Sequence, residues 1–404
     1  MEEILRSERI ASVRSDIRGP VYQEALRMIS SGAEVLRLNT GNPPVFGFDM
    51  PESIRHALLE NLDQTAAYCD LKGMPASRNA IWEYETKKGL PNLSPDHIFI
   101  GNGVSELAPM LCAALFCAGD EVLLPSPNYS LWSNGALLAD AKPVFYRCDE
   151  SAGWYPDTDD LRAKITPRTK AILVINPNNP TGALYPREVL EQIVALAREY
   201  GLILISDEIY DRLVMDGKEH ISTASLAPDL FCVTLNGLSK SHSVCGFRCG
   251  WMCVSGAVER GEDVLDGLVQ LAAMRLCSNA LAQVVIPAAL ADGETPRAMI
   301  VPGGRLYEQR EAAAAALEKI EGLSFVKNTG AFYLFPKLSK EKFGITDDRR
   351  FARDLLLAKR ILIVPGSGFD YPEPDHFRIV LLPEAPVLKR AMEDIGDFLD
   401  GYHQ

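Results

Sequence analysis

Nowhere in this 404-residue chain is there an unbroken apolar run of the ~18 residues that a bilayer crossing needs. The opening "MEEILRSERI" is charged and has no apolar centre, so no secretory leader is expected. No CxxC pair occurs. The nine cysteines are odd in number and scattered, which predicts free thiols in a reducing cytoplasm rather than a disulfide framework. Cys245, Cys249 and Cys253 are spaced by four and would share one face of a strand. The spacing matches no zinc or iron–sulfur pattern, so they are read as small buried apolar residues, and no metal is expected. Internal repeats and low-complexity tracts are absent. Positive charge is in deficit: 41 Lys and Arg against 54 Asp and Glu give a net charge of -13. That disfavours nucleic acid and anionic membranes as partners, because both require clustered positive charge. Small anions stay open as ligands, since one or two arginines inside a cleft override the overall sign.

What is present is a globular composition, 47% hydrophobic and 24% charged, long enough for two domains. From about residue 97 strands and helices alternate. "HIFIGNG", "DEVLLPSP", "TKAILVINP", "LILISDEIY", "LFCVTLNG" and "GFRCGWMCVS" read as strands. "SELAPMLCAALFCAG", "YSLWSNGALLAD" and "REVLEQIVALAREYG" read as helices, the last with Leu190, Ile193, Val194 and Ala197 on one face and Gly201 as its stop. Continuous apolar strands between amphipathic helices predict a mostly parallel sheet covered on both faces. Long helices are expected at about 256–276, 279–292 and 304–321. Short strands in "LSFVKNTGAFYLFPKL", "RILIVPG" and "HFRIVLLP" then precede a closing helix, as in a smaller α+β domain. The division expected is a large domain at 49–290 and a small one built from 1–48 and 291–404.

Ligands of open parallel sheets sit beyond the carboxyl ends of the strands, and unusual residues collect there. "GNGVSEL" enters a helix whose exposed N–H groups favour an anion; the alternative is a plain capped helix with Ser105 as the cap. Glu106 stands where a dinucleotide fingerprint needs its third glycine, which disfavours a nicotinamide enzyme. "NPNNPTG" is turn chemistry, or a turn that aims Asn179 into the cleft. Asp207 follows four apolar residues and needs a cationic partner if buried. Lys240 lies in a Ser/Gly-rich bend, where desolvation turns a lysine into a usable amine nucleophile. One ligand uses an anion-binding helix start, an aromatic at Tyr129, NPTG, D-x-x-Y and S-K with Arg248 eight residues on. It is pyridoxal 5'-phosphate, with a phosphate, a stacking ring, a phenolic oxygen, a basic ring nitrogen and an aldehyde.

In this order the motifs resemble the class I/II aminotransferases of pyridoxal phosphate fold type I, over essentially the whole chain. The bacterial alanine (glutamate–pyruvate) subgroup is the nearest likeness, through "DIRGP", "GNGVSEL", "INPNNPTGA", "SDEIYD", "NGLSK", "GFR", "MRLC" and "PGGRLYEQR". The resemblance implies an α/β fold with a large domain, whose mostly parallel seven-stranded-type sheet lies between helices, plus a smaller α+β domain. It implies Lys240 as Schiff-base lysine and proton shuttle, Asp207 at the pyridine nitrogen, Asn179 and Tyr210 at the ring oxygen, and Tyr129 stacked on the ring. Arg248, Gly103, Val104 and Ser105 would hold the phosphate. Tyr68 would reach the phosphate of a neighbouring subunit, which implies a homodimer with shared active sites. Arg378 would clamp the substrate α-carboxylate, Asn179 would line the substrate site, and Gly41 would meet the same carboxylate through its backbone. Arg18, or less directly Arg275, would take the side-chain carboxylate of glutamate.

Two positions depart from the family pattern. Gly237 stands where many relatives carry a phosphate-touching serine, and Ser15 where a tyrosine is usual near the substrate. The implied reaction is a ping-pong exchange between L-amino acids and 2-oxo acids, L-alanine with 2-oxoglutarate giving pyruvate and L-glutamate. The alternatives are an aminotransferase for another small apolar or aromatic amino acid, or a pyridoxal phosphate-dependent lyase or synthase on the same scaffold. A non-catalytic regulator on this scaffold would need an added DNA-reading element, for which there is no room before Gly41.

Overall fold

The computed structural model describes residues 3–14 and 16–404; the departure at Ser15 lies outside the described residues. Among the described residues the central sheet has eight strands, of which the seven longer ones are β1 (Ile98–Gly101), β2 (Glu121–Ser126), β3 (Lys142–Asp149), β4 (Thr169–Ile175), β5 (Ile203–Asp207), β6 (Phe231–Gly237) and β7 (Gly250–Gly256). Their order is β1-β7-β6-β5-β4-β2-β3, with Tyr155–Pro156 as a two-residue edge beyond β3. β7 runs antiparallel to both neighbours, and the other pairs among these seven are parallel. Because side chains alternate across a strand, Ile172 and Val174 enter one core while Ala171, Leu173 and Ile175 enter the opposite one. Both faces are therefore buried, which is why these strands read as unbroken apolar runs.

The covering helices include α1 (Pro20–Ser30), α2 (Pro75–Lys87), α3 (Val104–Leu115), α4 (Leu131–Leu138), α5 (Arg187–Tyr200) and α6 (Glu262–Met274). α5 buries Leu190, Ile193, Val194, Leu196 and Ala197 and ends at Gly201, whose φ of 67° is left-handed. A separate core gathers Val21, Leu38 and Phe48 with α7 (Arg305–Leu317), α8 (Asp348–Lys359) and α9 (Ala385–Leu399). The short strands Tyr333–Leu334, Val364–Pro365 and Phe377–Val380 form a three-stranded antiparallel sheet there. Leu36–Arg37 pairs in parallel with Ile361–Leu362 and ties the N-terminal segment to this core.

Several local expectations need correction. The helix expected at 279–292 is two pieces, Ala280–Gln283 and Ile286–Ala291, with Pro287 at the start of the second, where its missing N–H costs nothing. The one expected at 256–276 begins as a short 3-10 turn, Val258–Gly261, before α6. β3 and α8 are elements beyond those expected; the half-exposed, mixed pattern of β3 hides its strand period. Cys245 is not on the strand with Cys253. It sits half-buried in the 3-10 turn Cys245–Phe247, whereas Cys249 and Cys253 are buried. No helix among the described residues is long and apolar enough to cross a membrane.

Candidate active site

A cavity of about 710 Å³ opens over the carboxyl ends of β2, β4, β5 and β6. Its wall holds Lys240, Asp207, Tyr210, Asn179, Tyr129, Arg248, Val104, Ser105, Gly41, Arg378 and Arg18, residues drawn from every part of the chain.

The phosphate-type end is built by α3. Gly103, with φ of 80°, is the residue that starts this helix, so Ser105 is not the cap and lies in the first turn. The N–H groups of Val104 and Ser105 have no acceptor among the described residues, and they point from a helix N-terminus, where partial positive charge favours an anion. Arg248 arrives from the other side, with its Nη1 on Cys245 O at 2.8 Å and no carboxylate partner among the described residues. The φ of 80° favours glycine at 103, and a Cβ there would come within 2.4 Å of Arg248 Nη2 where that guanidinium now lies. At Gly237 a Cβ would meet Cys249 O at 2.5 Å. The close pairing of β6 and β7 thus leaves no room for a side chain at Gly237 in this backbone.

At the cavity floor, Asp207 ends β5. Trp132 Nε1 donates to its Oδ2 at 2.9 Å and the Ile209 N–H to its Oδ1 at 3.3 Å. Burial raises the carboxyl to about 6 despite these bonds, and no cation among the described residues lies within 4 Å of it. Lys240 follows β6 and donates from Nζ to Gly41 O at 2.7 Å, a neutral acceptor. Gly41 is forced as well: a Cβ there would sit 2.6 Å from Tyr333 Oη. Tyr210 Oη lies 2.6 Å from Tyr333 Oη, and burial, then Tyr333, hold the Tyr210 phenol well above its ordinary value.

The carboxylate-type end is Arg378. It is 2% exposed, lies between the rings of Tyr333 and Phe369 at 4.6 and 4.7 Å, and donates to Asn179 Oδ1 at 3.0 Å and to Asn39 O. Its Nε has no partner, and burial pushes the guanidinium below its ordinary value. In "NPNNPTG" the two readings fall on adjacent residues. Asn178 Oδ1 accepts from Thr181 Oγ1 at 2.9 Å and closes the turn, while Asn179 faces the cavity.

Arg18 lies in a 3-10 turn, Asp16–Arg18, on the cavity wall; it has no carboxylate partner among the described residues, because Asp16 pairs with Arg349 instead. Arg275 is not in the wall, which corrects its candidacy. Its Nη1 is 2.9 Å from Glu106 and its Nη2 donates to Ile100 O, so a structural ion pair consumes it. Tyr68 is 81% exposed and outside this cavity. Trp132, Tyr333 and Ser239 went unnoticed in the sequence. Ser239 could have been found beside Lys240, but Trp132 and Tyr333 read as ordinary core aromatics.

An amine at one wall, a buried acid at the floor and an uncommitted arginine at either end define an enzyme cavity for anionic ligands of two kinds. The family model for "Aminotransferase class I and II" matches residues 33–395, and the chain belongs to that family. It is 47% identical, over 100% of both chains, to the glutamate-pyruvate aminotransferase AlaA of Escherichia coli. It is 46% identical to the alanine aminotransferase of Mycobacterium bovis, over 99% of this chain and 93% of that one. An Escherichia coli aminotransferase of known crystal structure superposes with a TM-score of 0.98 over 100% of both chains, at 47% identity.

Proposed function

We propose that this aminotransferase binds pyridoxal phosphate in the cavity and exchanges amino groups between L-alanine with pyruvate and L-glutamate with 2-oxoglutarate. The observation that carries the reading is Arg378: a buried guanidinium with no carboxylate partner among the described residues, in the wall of the same cavity as Lys240 and Asp207, suits the carboxylate of an amino or oxo acid. The substrate pair comes from the likeness to the two named relatives.

The residues fit the cofactor on their own chemistry. Asp207 is a buried acid with no cation within 4 Å among the described residues, as a protonated ring nitrogen requires, and Arg248 with the Val104 and Ser105 N–H groups has the chemistry to hold a phosphate. When bound, pyridoxal phosphate supplies an electron sink that stabilises negative charge on the substrate Cα. Lys240 Nζ holds the cofactor and then carries a proton taken from the substrate Cα. Asp207 keeps the ring nitrogen protonated. Asn179 and Tyr210 donate to the ring oxygen, and Tyr129 covers the ring face and excludes water. Gly41 contributes its backbone at the substrate carboxylate, and Arg18 takes a distal carboxylate, which distinguishes glutamate from alanine.

Residues 49–290 are read as the cofactor-binding domain, and 1–48 with 291–404 as the domain that brings Arg378 to it. The exposed Tyr68, with Met274 and Leu276 also exposed, supports a homodimer in which Tyr68 reaches the partner's phosphate. Nine unpaired cysteines support a cytoplasmic setting.

The test is a visible-absorption titration of the purified protein with pyridoxal phosphate, followed by single amino acids. Bleaching of the cofactor band by both L-alanine and L-glutamate, reversed by pyruvate and 2-oxoglutarate, is the expected result. A band shifted only by other amino acids would overturn the substrate pair. Failure of borohydride to fix cofactor on Lys240 would overturn the reaction.

A further inference from the structure

Behind the turn that carries Asp207 and Tyr210 lies a second group of charges that the cavity does not use. Lys88 follows α2, and its Nζ lies 2.9 Å from Glu85 Oε2, 2.9 Å from Glu208 Oε2 and 2.9 Å from Asp211 Oδ2. All three carboxylates are buried. Glu208 and Asp211 are the sequence neighbours of Asp207 and Tyr210, so one turn sends two groups into the cavity and two into this cluster.

The cluster reaches the other site strands as well. Asn236, on β6 and four residues before Lys240, donates from Nδ2 to Asp211 Oδ2 at 2.7 Å, and Trp251 on β7 donates from Nε1 to Glu85 Oε1 at 2.8 Å. Tyr84 Oη donates to Asp211 Oδ2 at 2.6 Å, and Ser206 and Ser222 hydroxyls donate to Glu208 Oε1 at 2.9 and 2.8 Å. The remaining charged neighbours do not replace Lys88. His220 stands 3.8 Å from Glu208, and burial holds it below its ordinary value. Arg212 bonds Tyr84 Oη and gives its other donors to the carbonyls of Ala289, Leu290 and Asp292. One ammonium therefore offsets three buried carboxylates. Without it, two like charges on a single turn face each other in a dry interior. The turn is the element that both carboxylates share with Asp207 and Tyr210, so their repulsion would act directly on it.

We propose that Lys88 is a positioning residue of the active site. By gathering Glu208 and Asp211 to one point it fixes the Asp207–Tyr210 turn, and through Asn236 the Lys240 end of β6, where the cofactor needs them. This rests on the pyridoxal phosphate reading above. The cavity residues touch the cofactor; Lys88 acts through them, as outer-shell partners do for ligand groups elsewhere.

The experiment compares wild type, Lys88→Met, Lys88→Arg and Asp211→Asn as full chains. Three quantities are measured: the dissociation constant for pyridoxal phosphate, the pH midpoint of its visible band, and the melting temperature without cofactor. Lys88→Met is expected to weaken cofactor binding by about tenfold or more and to move the band's midpoint to higher pH, with Lys88→Arg recovering most of both. Wild-type binding and midpoint in Lys88→Met, with only a lower melting temperature, would overturn the proposal. Should Lys88→Met fail to fold, Asp211→Asn decides. It keeps the side-chain shape and loses one buried charge, weaker cofactor binding is expected, and unchanged binding overturns the proposal. Absence of a band in the wild type would remove the cofactor reading and this role together, and is distinguishable from unchanged variants of a protein that has one.

Discussion

Two arginines are almost completely buried in this protein, and they are treated in opposite ways. Arg310, on α7, bonds Asp216 through both terminal nitrogens at 2.8 and 2.6 Å, Glu311 through Nε at 3.0 Å and Asn328 O at 3.0 Å. Its charge is answered within the chain, and its pKa is raised despite burial. Arg378 has two aromatic faces, one amide oxygen and one carbonyl, but no carboxylate among the described residues, and its pKa is lowered. A buried charge costs several kcal/mol unless it is paired. The first arginine is therefore structural, while the second is held ready for an anion that arrives from outside. The same contrast divides the acids of one turn: Asp211 pairs with Lys88, while Asp207 has no cation within 4 Å among the described residues. Burial opposes ionisation of both, yet Lys88 helps hold Asp211 down to about 2, whereas Asp207 stands at about 6.

The largest effect expected is that of Lys240→Ala. Transamination should fall by about 10,000-fold or more, because one group both holds the cofactor and moves the proton. Steady-state kinetics together with borohydride trapping check this, and a variant with near-normal turnover would remove Lys240 from the site. Next comes the arginine pair itself. Arg378→Lys should cut kcat/KM by about 100-fold, mostly through KM, with little change in melting temperature, since a truncated charge contact costs about 2–5 kcal/mol of binding. Arg310→Lys should do the reverse and lose about 2 kcal/mol of folding stability with KM unchanged. If the two variants behaved alike in denaturation and kinetics, the distinction between them would collapse.

Asp207 predicts a pH effect in the protein without cofactor. An acid whose folded value, about 6, exceeds its unfolded 3.8 favours folding most at low pH. That contribution is lost as pH rises from 3.8 through about 6, and is flat above. The loss is about 2–3 kcal/mol. Urea unfolding across that range should show the slope in the wild type and its absence in Asp207→Asn; equal slopes would mean that the carboxyl is not buried as described. A bound cationic ring should abolish the slope as well.

The smallest effect concerns His376. Burial opposes its charge, but Asp375 at 2.7 Å and Glu150 at 3.5 Å raise it above its ordinary 6.5. Its contribution is full below 6.5 and fades as pH rises through the folded value. His376→Asn should flatten that shallow decline in a thermal unfolding series, without altering KM.

The alternation of apolar strands and amphipathic helices is local, carried by periods of 2 and 3.6, so the parallel sheet was legible in the sequence. Its carboxyl edge was legible too. Gly103, Tyr129, Asn179, Asp207 and Lys240 each stand within a few residues of a strand end, where side-chain chemistry has no packing task. β3 is hidden by a half-exposed pattern that blurs its period, whereas α8 carries a clear helical one in Phe351, Ala352, Leu355 and Leu356 and was legible in principle.

What sequence order could not decide is pairing through space. Arg275 and Arg378 are both arginines beside plausible site residues. Only the packing of α6 against the β1–α3 corner gives Arg275 to Glu106, and only the docking of Phe377–Val380 beside Asn39 and Asn179 leaves Arg378 without an acid among the described residues. Trp132 reaches Asp207, Tyr333 reaches Tyr210 and Lys240 reaches Gly41 across separations of 75, 123 and 199 residues. The sequence by itself determined which residues stand at the mouth of the sheet, because strand period and turn chemistry act over a few residues. The tertiary structure decided which charges are satisfied there and which are left for ligands, because burial and Coulomb pairing depend on distance in space rather than along the chain.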